Sequence, residues 1–194
     1  MRIAGAFRSL DPAEPCGDAF AWWSDGPLWT ICLVDGLGHG PDAARASGMA
    51  LAKADACRAL SPEAIIAAVD GAIRNSRGAA MSVVRIDLAG RTLRFAGVGN
   101  VRMALVGEAV TRFEARPGIV GTGCRVAAAN EAPFVEDDLL VLWTDGFPAH
   151  LEFGRDHRSR AGDPEALAEA VIESGRSGRD DAAIVCARLR RVPA

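Results

Sequence analysis

Tyrosine is missing from all 194 residues, which excludes a tyrosyl nucleophile. The three histidines, His39, His150 and His157, stand apart from one another, and an isolated histidine is ordinarily a surface or hydrogen-bonded residue. No apolar run reaches the ~18 residues that would cross a bilayer, and Met1–Arg8 lacks the long apolar core of a signal peptide, so the chain reads as soluble and cytoplasmic. Clustered positive charge is also lacking. A net charge of −3 and an isoelectric point near 5.6 provide no footprint for nucleic acid or an anionic membrane. The five cysteines, Cys16, Cys32, Cys57, Cys124 and Cys186, are odd in number, scattered and free of any Cys-x-x-Cys pair. They read as reduced, core-filling residues rather than a zinc or disulfide framework. There is no G-x-x-x-x-G-K-[ST] loop and no G-x-S-x-G elbow, and Gly97-Val98-Gly99-Asn100 lacks the third, helix-opening glycine of a dinucleotide fingerprint.

Apolar residues, by contrast, are plentiful. At 49% hydrophobic, the chain can bury one substantial core, and the length predicts a single domain over residues 1–194. Residues 2–7, 18–24 and 28–34 read as strands. An Ala-rich stretch from Pro41 to about Leu60 reads as a helix, and Ser61-Pro62-Glu63 supplies the N-cap and first turn of another that runs to Arg74. Extended segments follow at 79–88, 91–98, 101–106, 109–115, 126–129 and 138–144, with hairpin-like turns at Asp87–Arg91 and Val106–Glu108. A late helix fits Pro164–Ser174, and 182–189 is a last, fully hydrophobic strand. Strands, paired helices, more strands, one helix and a strand make an α+β pattern of antiparallel sheet covered by segregated helices. A doubly wound parallel sheet would need regular alternation, which is missing.

Four aspartates stand at strand ends or starts beside residues that break regular structure: Asp18 in CGD, Asp35 in LVDG, Asp145 in WTDG and Asp180 in GRDD. Two share one grammar, a hydrophobic strand ending in Asp-Gly. A buried strand end holds a carboxylate at the rim of a sheet, and the glycine lets backbone or ligand approach closely. Carboxylates gathered at one rim repel unless a cation neutralises them, and oxygen donors without His or Cys favour Mg²⁺ or Mn²⁺ over zinc. Asp-Gly is also among the commonest turn pairs, so no single aspartate decides the matter. Asp87, before a hairpin turn, and Asp70, on a helix, receive no chemical role.

The ordered set is more specific. CGDAF, LVDGLGHG before an Ala-rich helix, FAGVGN, DLLVLWTDGF and GRDDAAIV together resemble the metal-dependent serine/threonine phosphatases of the PP2C type, in their SpoIIE-like branch. Within that branch the CGD opening, the DGLGHG loop and Arg116–Gly121 look most like the RsbX-type phosphatases of stressosome modules. The resemblance implies a sandwich of two antiparallel sheets flanked by helices, with two Mn²⁺ or Mg²⁺ ions at one end. Asp35 matches the aspartate that bridges both ions, on which catalysis depends. The Gly36 carbonyl and Asp18 match ligands of the second ion, and Asp145 and Asp180 match those of the first. Asp181 is then a neighbour that orients its partner, and Asn100 a turn residue between strands.

The implied reaction is attack of a hydroxide shared by the two ions on the phosphorus of a phosphoserine or phosphothreonine. The implied partner is a phosphorylated STAS-domain regulator of the RsbS/RsbR kind. The position two residues after Asp35, where eukaryotic relatives carry a proposed acid histidine, is Leu37 here; His39 is the alternative acid, with metal-bound water the other proton source. The loop from Leu151 to Asp163, with Arg155, His157, Arg158 and Arg160, is either a substrate-facing segment or a solvated loop. Two other functional classes stay open: a pseudophosphatase that binds such partners without turnover, and a phosphomonoesterase acting on a small metabolite. No motif sets the oligomeric state, and a monomer suffices.

Overall fold

A computed structural model describes residues 1–126, 128–149, 151–153 and 162–190. Ten strands and three helices follow in the order β1 (Arg2–Arg8), β2 (Asp18–Asp25), β3 (Leu28–Gly36), α1 (Pro41–Ala56), α2 (Pro62–Ala72), β4 (Ala79–Asp87), β5 (Thr92–Val98), β6 (Arg102–Val106), β7 (Val110–Phe113), β8 (Asn130–Pro133), β9 (Asp138–Trp143), α3 (Pro164–Gly175) and β10 (Ala182–Leu189). They build two five-stranded sheets, ordered β1-β10-β9-β6-β7 and β2-β3-β4-β5-β8, in which every ladder is antiparallel.

Alternation along the strands explains the layering. In β3, Ile31 and Leu33 join the apolar layer between the sheets, where Val84, Phe95, Met103, Leu142 and Val185 meet them. Cys32 and Val34 point the other way, onto Ala50 and Ala54 of α1 and Ile65, Ile66 and Val69 of α2. In the other sheet Trp143, Ile184 and Cys186 turn outward beneath Leu167 and Ile172 of α3. Both faces of each central strand are therefore covered, and the strands read as continuous hydrophobic runs rather than polar–apolar alternation. All five cysteines are free thiols, with Cys32 and Cys186 fully buried.

Most boundaries shift by one or two residues, with α2 ending at Ala72 rather than Arg74 and β7 covering Val110–Phe113 rather than 109–115, and two differ by more. Helix α1 stops at Ala56 rather than near Leu60. The carbonyls of Arg58 and Ala59 just beyond it accept hydrogen bonds from the Arg85 guanidinium on β4, a tertiary contact that takes the place of another helical turn. The strand expected at 126–129 lies instead at Asn130–Pro133, an edge strand paired with β5 from Thr92↔Pro133 to Phe95↔Asn130. Ser61 holds the N-cap position of α2 in an extended conformation, but its side chain makes no capping bond. Asp163, by contrast, caps α3 through the Ala166 N–H at 3.3 Å. Among the described residues no helix is long and apolar enough to cross a membrane.

Candidate metal centre

Each sheet contributes two aspartates to one end of the sandwich. Asp18 opens β2 and Asp35 is the penultimate residue of β3, and the antiparallel register sets them directly opposite each other. Asp145 lies just beyond the end of β9 and Asp180 just before β10. These two strands pair with Trp143 opposite Ile184. The ladder is prolonged by one bond, in which the Thr144 N–H donates to the Ala183 carbonyl at 3.1 Å, so the segments carrying Asp145 and Asp180 run side by side. The two Asp-Gly junctions are steric requirements. A Cβ on Gly36 would fall 2.2 Å from the Ala43 carbonyl oxygen, and one on Gly146 would fall 2.1 Å from that of Asp181. The glycines let α1 and the start of β10 close onto the strand ends that carry the carboxylates.

The four carboxylates act on one another. Burial first, and then the charges of Asp18, Asp145 and Asp180, push the Asp35 carboxyl up to about 9. Asp18, only 5% exposed, is pushed up to about 7 by burial and by Asp181, Asp145 and Asp180, against the opposing effect of its Thr144 hydrogen bond. Asp145 is raised as well, by its partial burial and by Asp180, while Arg102, Asp35 and Asn100 pull it back. Asp35 and Asp145 also act directly on each other, which raises the first and lowers the second. Like charges at such close quarters favour a bound proton or a cation.

Neighbouring groups fix the carboxylates. The Thr144 hydroxyl donates to Asp18 Oδ2 at 2.6 Å, and its oxygen accepts the Ala183 N–H at 2.9 Å. The Asn100 amide donates to Asp145 Oδ2 at 2.6 Å, so Asn100 is a partner of the cluster as well as the turn residue expected from the sequence. Asp181 is only 3% exposed and lies close enough to Asp18 to raise it. Its carboxylate accepts the backbone N–H groups of Leu10 at 2.7 Å and Gly17 at 2.6 Å, which ties the β1–β2 connection to the start of β10 and seats Asp18 beside it. The Asp181 N–H in turn donates to Asp180 Oδ1 at 2.9 Å. His39 lies on the exposed side of its loop, 3.4 Å from the Glu14 carboxylate.

Two residues with no role in the sequence reading stand out. Thr144 could have been singled out as the hydroxyl next to Asp145 in WTDG. Asp70 is buried, and one of its carboxylate oxygens gathers the N–H groups of Gly121, Gly123 and Cys124 at 2.8, 3.1 and 3.1 Å. Its burial penalty is outweighed by those bonds, and its pKa is lowered. Asp70 thus anchors the loop after Ile119. The cationic residues Arg155, His157, Arg158 and Arg160, together with His150, lie outside the described residues.

Among the described residues no three carboxylate, imidazole or thiol groups close around a single point. One oxygen of Asp18 and one of Asp145 are taken by a hydroxyl and an amide donor. The donor set itself is all oxygen, with Asp18 buried, Asp35 and Asp180 half-buried and Asp145 open to solvent, which fits hard divalent ions that keep several waters and few protein ligands each.

A model of the family described as Stage II sporulation protein E (SpoIIE) matches residues 25–190. The phosphoserine phosphatase RsbX of Bacillus subtilis is 24% identical over 176 residues, spanning 90% of this chain and 87% of that protein. A crystal structure of RsbX in complex with magnesium superposes with a TM-score of 0.82 at 22% identity, over 95% of this chain and 92% of that one. A structure described under the bacterial stressosome as a modular system adapted to control secondary messenger signalling gives 0.87 at 24% identity, over 96% and 98%. The catalytic domain of the serine/threonine phosphatase PstP, in complex with two manganese ions, gives 0.70 at 18% identity, over 96% and 97%. The two-sheet, three-helix architecture is the fold of these phosphatases.

Proposed function

The chain belongs to the SpoIIE family, and from that premise we propose that it is a divalent-metal-dependent protein serine/threonine phosphatase acting on a phosphorylated STAS-domain protein of a stressosome or partner-switching module, in the cytoplasm. The observation that carries this reading is the convergence of Asp18 and Asp35 from one sheet with Asp145 and Asp180 from the other. In it, Asp35 and the Gly36 carbonyl, with Asp18, Asp145 and Asp180, hold two Mg²⁺ or Mn²⁺ ions. When bound, such ions supply a nucleophile at neutral pH and charge stabilisation for the phosphoryl oxygens.

The chain's own residues prepare that chemistry. Asp35, crowded by the charges of Asp18, Asp145 and Asp180, is the carboxyl that a cation would relieve most. The Thr144 hydroxyl and the Asn100 amide each hold one oxygen of Asp18 and Asp145, leaving the other free to ligate and fixing its direction. Asp181 keeps the β1–β2 connection clamped to β10, so that Asp18 and Asp180 approach from adjoining backbone. Rigid strand ends thereby preorganise the site before substrate arrives. The phosphoprotein reading draws on the names of RsbX and of the stressosome structure.

The test is hydrolysis of an aryl phosphate by chelator-stripped protein with Mn²⁺ or Mg²⁺ restored, followed by phosphate release from an intact phosphorylated STAS domain and from free phosphoserine. The proposal requires metal-dependent turnover and a preference for the intact domain. Turnover without added metal, or equal use of free phosphoserine, would overturn it.

A further inference from the structure

Beside the aspartates, on the outer face of the β6–β9 pair, a cavity of about 410 Å³ is lined by Asn100, Arg102, Arg112, Glu114, Trp143 and Ala149 among others. Arg102 and Trp143 are direct cross-strand partners, so their side chains rise from the same face. Arg112, on β7 opposite Ala104, belongs to that face as well. Its guanidinium is already engaged. It donates to the Leu151 carbonyl at 2.9 Å and sits 5.9 Å from the centroid of the Trp143 ring, forming a wall of the cavity.

Arg102 differs. Among the described residues its enclosed Nη1 has no hydrogen-bond partner, and the same is true of Trp143 Nε1. A donor without an acceptor is costly in a folded protein, the more so when it belongs to a charged group. Both residues line the cavity, and Arg102 is half-buried rather than closed off from it. The lining carries two guanidiniums against the single carboxylate of Glu114, so its charge is positive and its unmet need is for an acceptor. Asn100 lines the cavity and also holds Asp145. A phosphoryl group at the aspartates would therefore place the neighbouring residues of its own chain at the mouth of this cavity.

We propose that this pocket is a specificity subsite that receives an acidic side chain flanking the phosphorylated residue of the protein substrate, with Arg102 as the cation that recognises it. The inference rests on the phosphatase reading for the placement of the phosphoryl group. A turn of the half-buried Arg102 side chain would let the carboxylate take its guanidinium in a charge-assisted bond. Selectivity of this kind resides in binding, so it appears as a difference in kcat/KM between substrates carried mainly by KM.

The experiment uses the full chain loaded with Mn²⁺ and a set of phosphoserine peptides that carry one glutamate at successive flanking positions, beside the glutamate-free parent. The wild type is expected to prefer one or two of the glutamate peptides by roughly tenfold, as one charge-assisted hydrogen bond allows. In Arg102→Met, which keeps much of the side-chain volume, and in Arg102→Ala, the ratio should fall to about one. Arg102→Lys, a point charge without the fork, should restore part of it. A wild type without preference, or variants that keep the ratio, would overturn the subsite. Loss of turnover on every peptide alike would also overturn it and make Arg102 a support for the aspartates. Calorimetric affinities for the same peptides read the ratio without turnover. A wild type that releases no phosphate yet binds the glutamate peptides tenfold more tightly would refute the phosphatase reading and keep the subsite.

Discussion

Asp18 and Asp35 face one another across β2 and β3 as register partners at the rim of a sheet. Each carries a raised pKa for the same first reason, burial, with the other aspartates adding to it. In an antiparallel pair, like charges directly opposite are destabilising. The fold therefore bears a cost at the point where its function is concentrated, and the cost is relieved by a proton or a divalent ion.

Asp35→Asn should separate stability from function. Without metal, the variant removes a carboxyl that ionises only at high pH, so it should melt at a higher temperature than the wild type in chelator once the pH rises above about 9. With metal, it should lose more than about a hundredfold in hydrolysis, since even the partners of metal ligands contribute 10- to 100-fold. Parallel melting and aryl phosphate assays check both halves. A variant with wild-type turnover removes Asp35 from the centre.

The raised carboxyls fix the sign of the pH dependence. A folded pKa above the unfolded value means that the native state holds more protons between the two, so stability falls as pH rises through that interval. For Asp18 and Asp35 the interval runs from the ordinary carboxylate range up to about 7 and about 9. Urea unfolding of chelated protein should thus show stability at its fullest near pH 4 and declining toward pH 9. Saturating Mg²⁺, which binds the ionised carboxylates, should lift the alkaline side most. An equal lift at acid and alkaline pH would contradict the link between the cluster and the ions.

Much of this centre was legible because strand-end Asp-Gly is a local signal: LVDG and WTDG each announce a buried strand, a carboxylate and a backbone that another element must approach. The layers were legible too, since β3, β9 and β10 are hydrophobic on both faces and so need cover on both. What stayed hidden depends on partners far along the chain. The end of α1 is settled by Arg85, some thirty residues on. Strand β8 is a short polar segment ending in proline, recognisable only by its pairing with β5. Asn100 reads as a turn residue until β6 and β9 bring it to Asp145.

That contact makes Asn100 a positioning residue. Asn100→Ala should leave Asp145 free to rotate and weaken metal affinity roughly 10- to 100-fold, while activity at saturating metal recovers in large part. Metal titrations of hydrolysis check this. A fall in maximal turnover with unchanged metal affinity would place Asn100 on the substrate instead.

Asp181→Ala should unfold the protein more readily without touching a ligand. It strands the N–H groups of Leu10 and Gly17, at about 1–3 kcal/mol for each buried donor left unpaired. Asp181→Asn retains an acceptor oxygen and should lose less. Urea midpoints of the two variants in chelator give the comparison, free of any contribution from bound metal.

Asp70 provides the opposite pH sign. Its bonds to Gly121, Gly123 and Cys124 lower its pKa despite burial, so the stability it contributes is present above the unfolded carboxylate value near 4 and is lost as pH falls below it. Asp70→Ala removes the acceptor shared by three backbone donors and should loosen residues 121–124 without unfolding the sheets, because Val120 stays paired with Ala79 through two backbone bonds. Hydrogen exchange at those three amides should then accelerate roughly tenfold to a hundredfold, matching the ~1–3 kcal/mol of an unmet buried bond. Acidification of the wild type below pH 4 should reproduce that pattern at the same amides. If the exchange of β3 and β4 accelerates equally in the variant, Asp70 holds the whole fold rather than one loop.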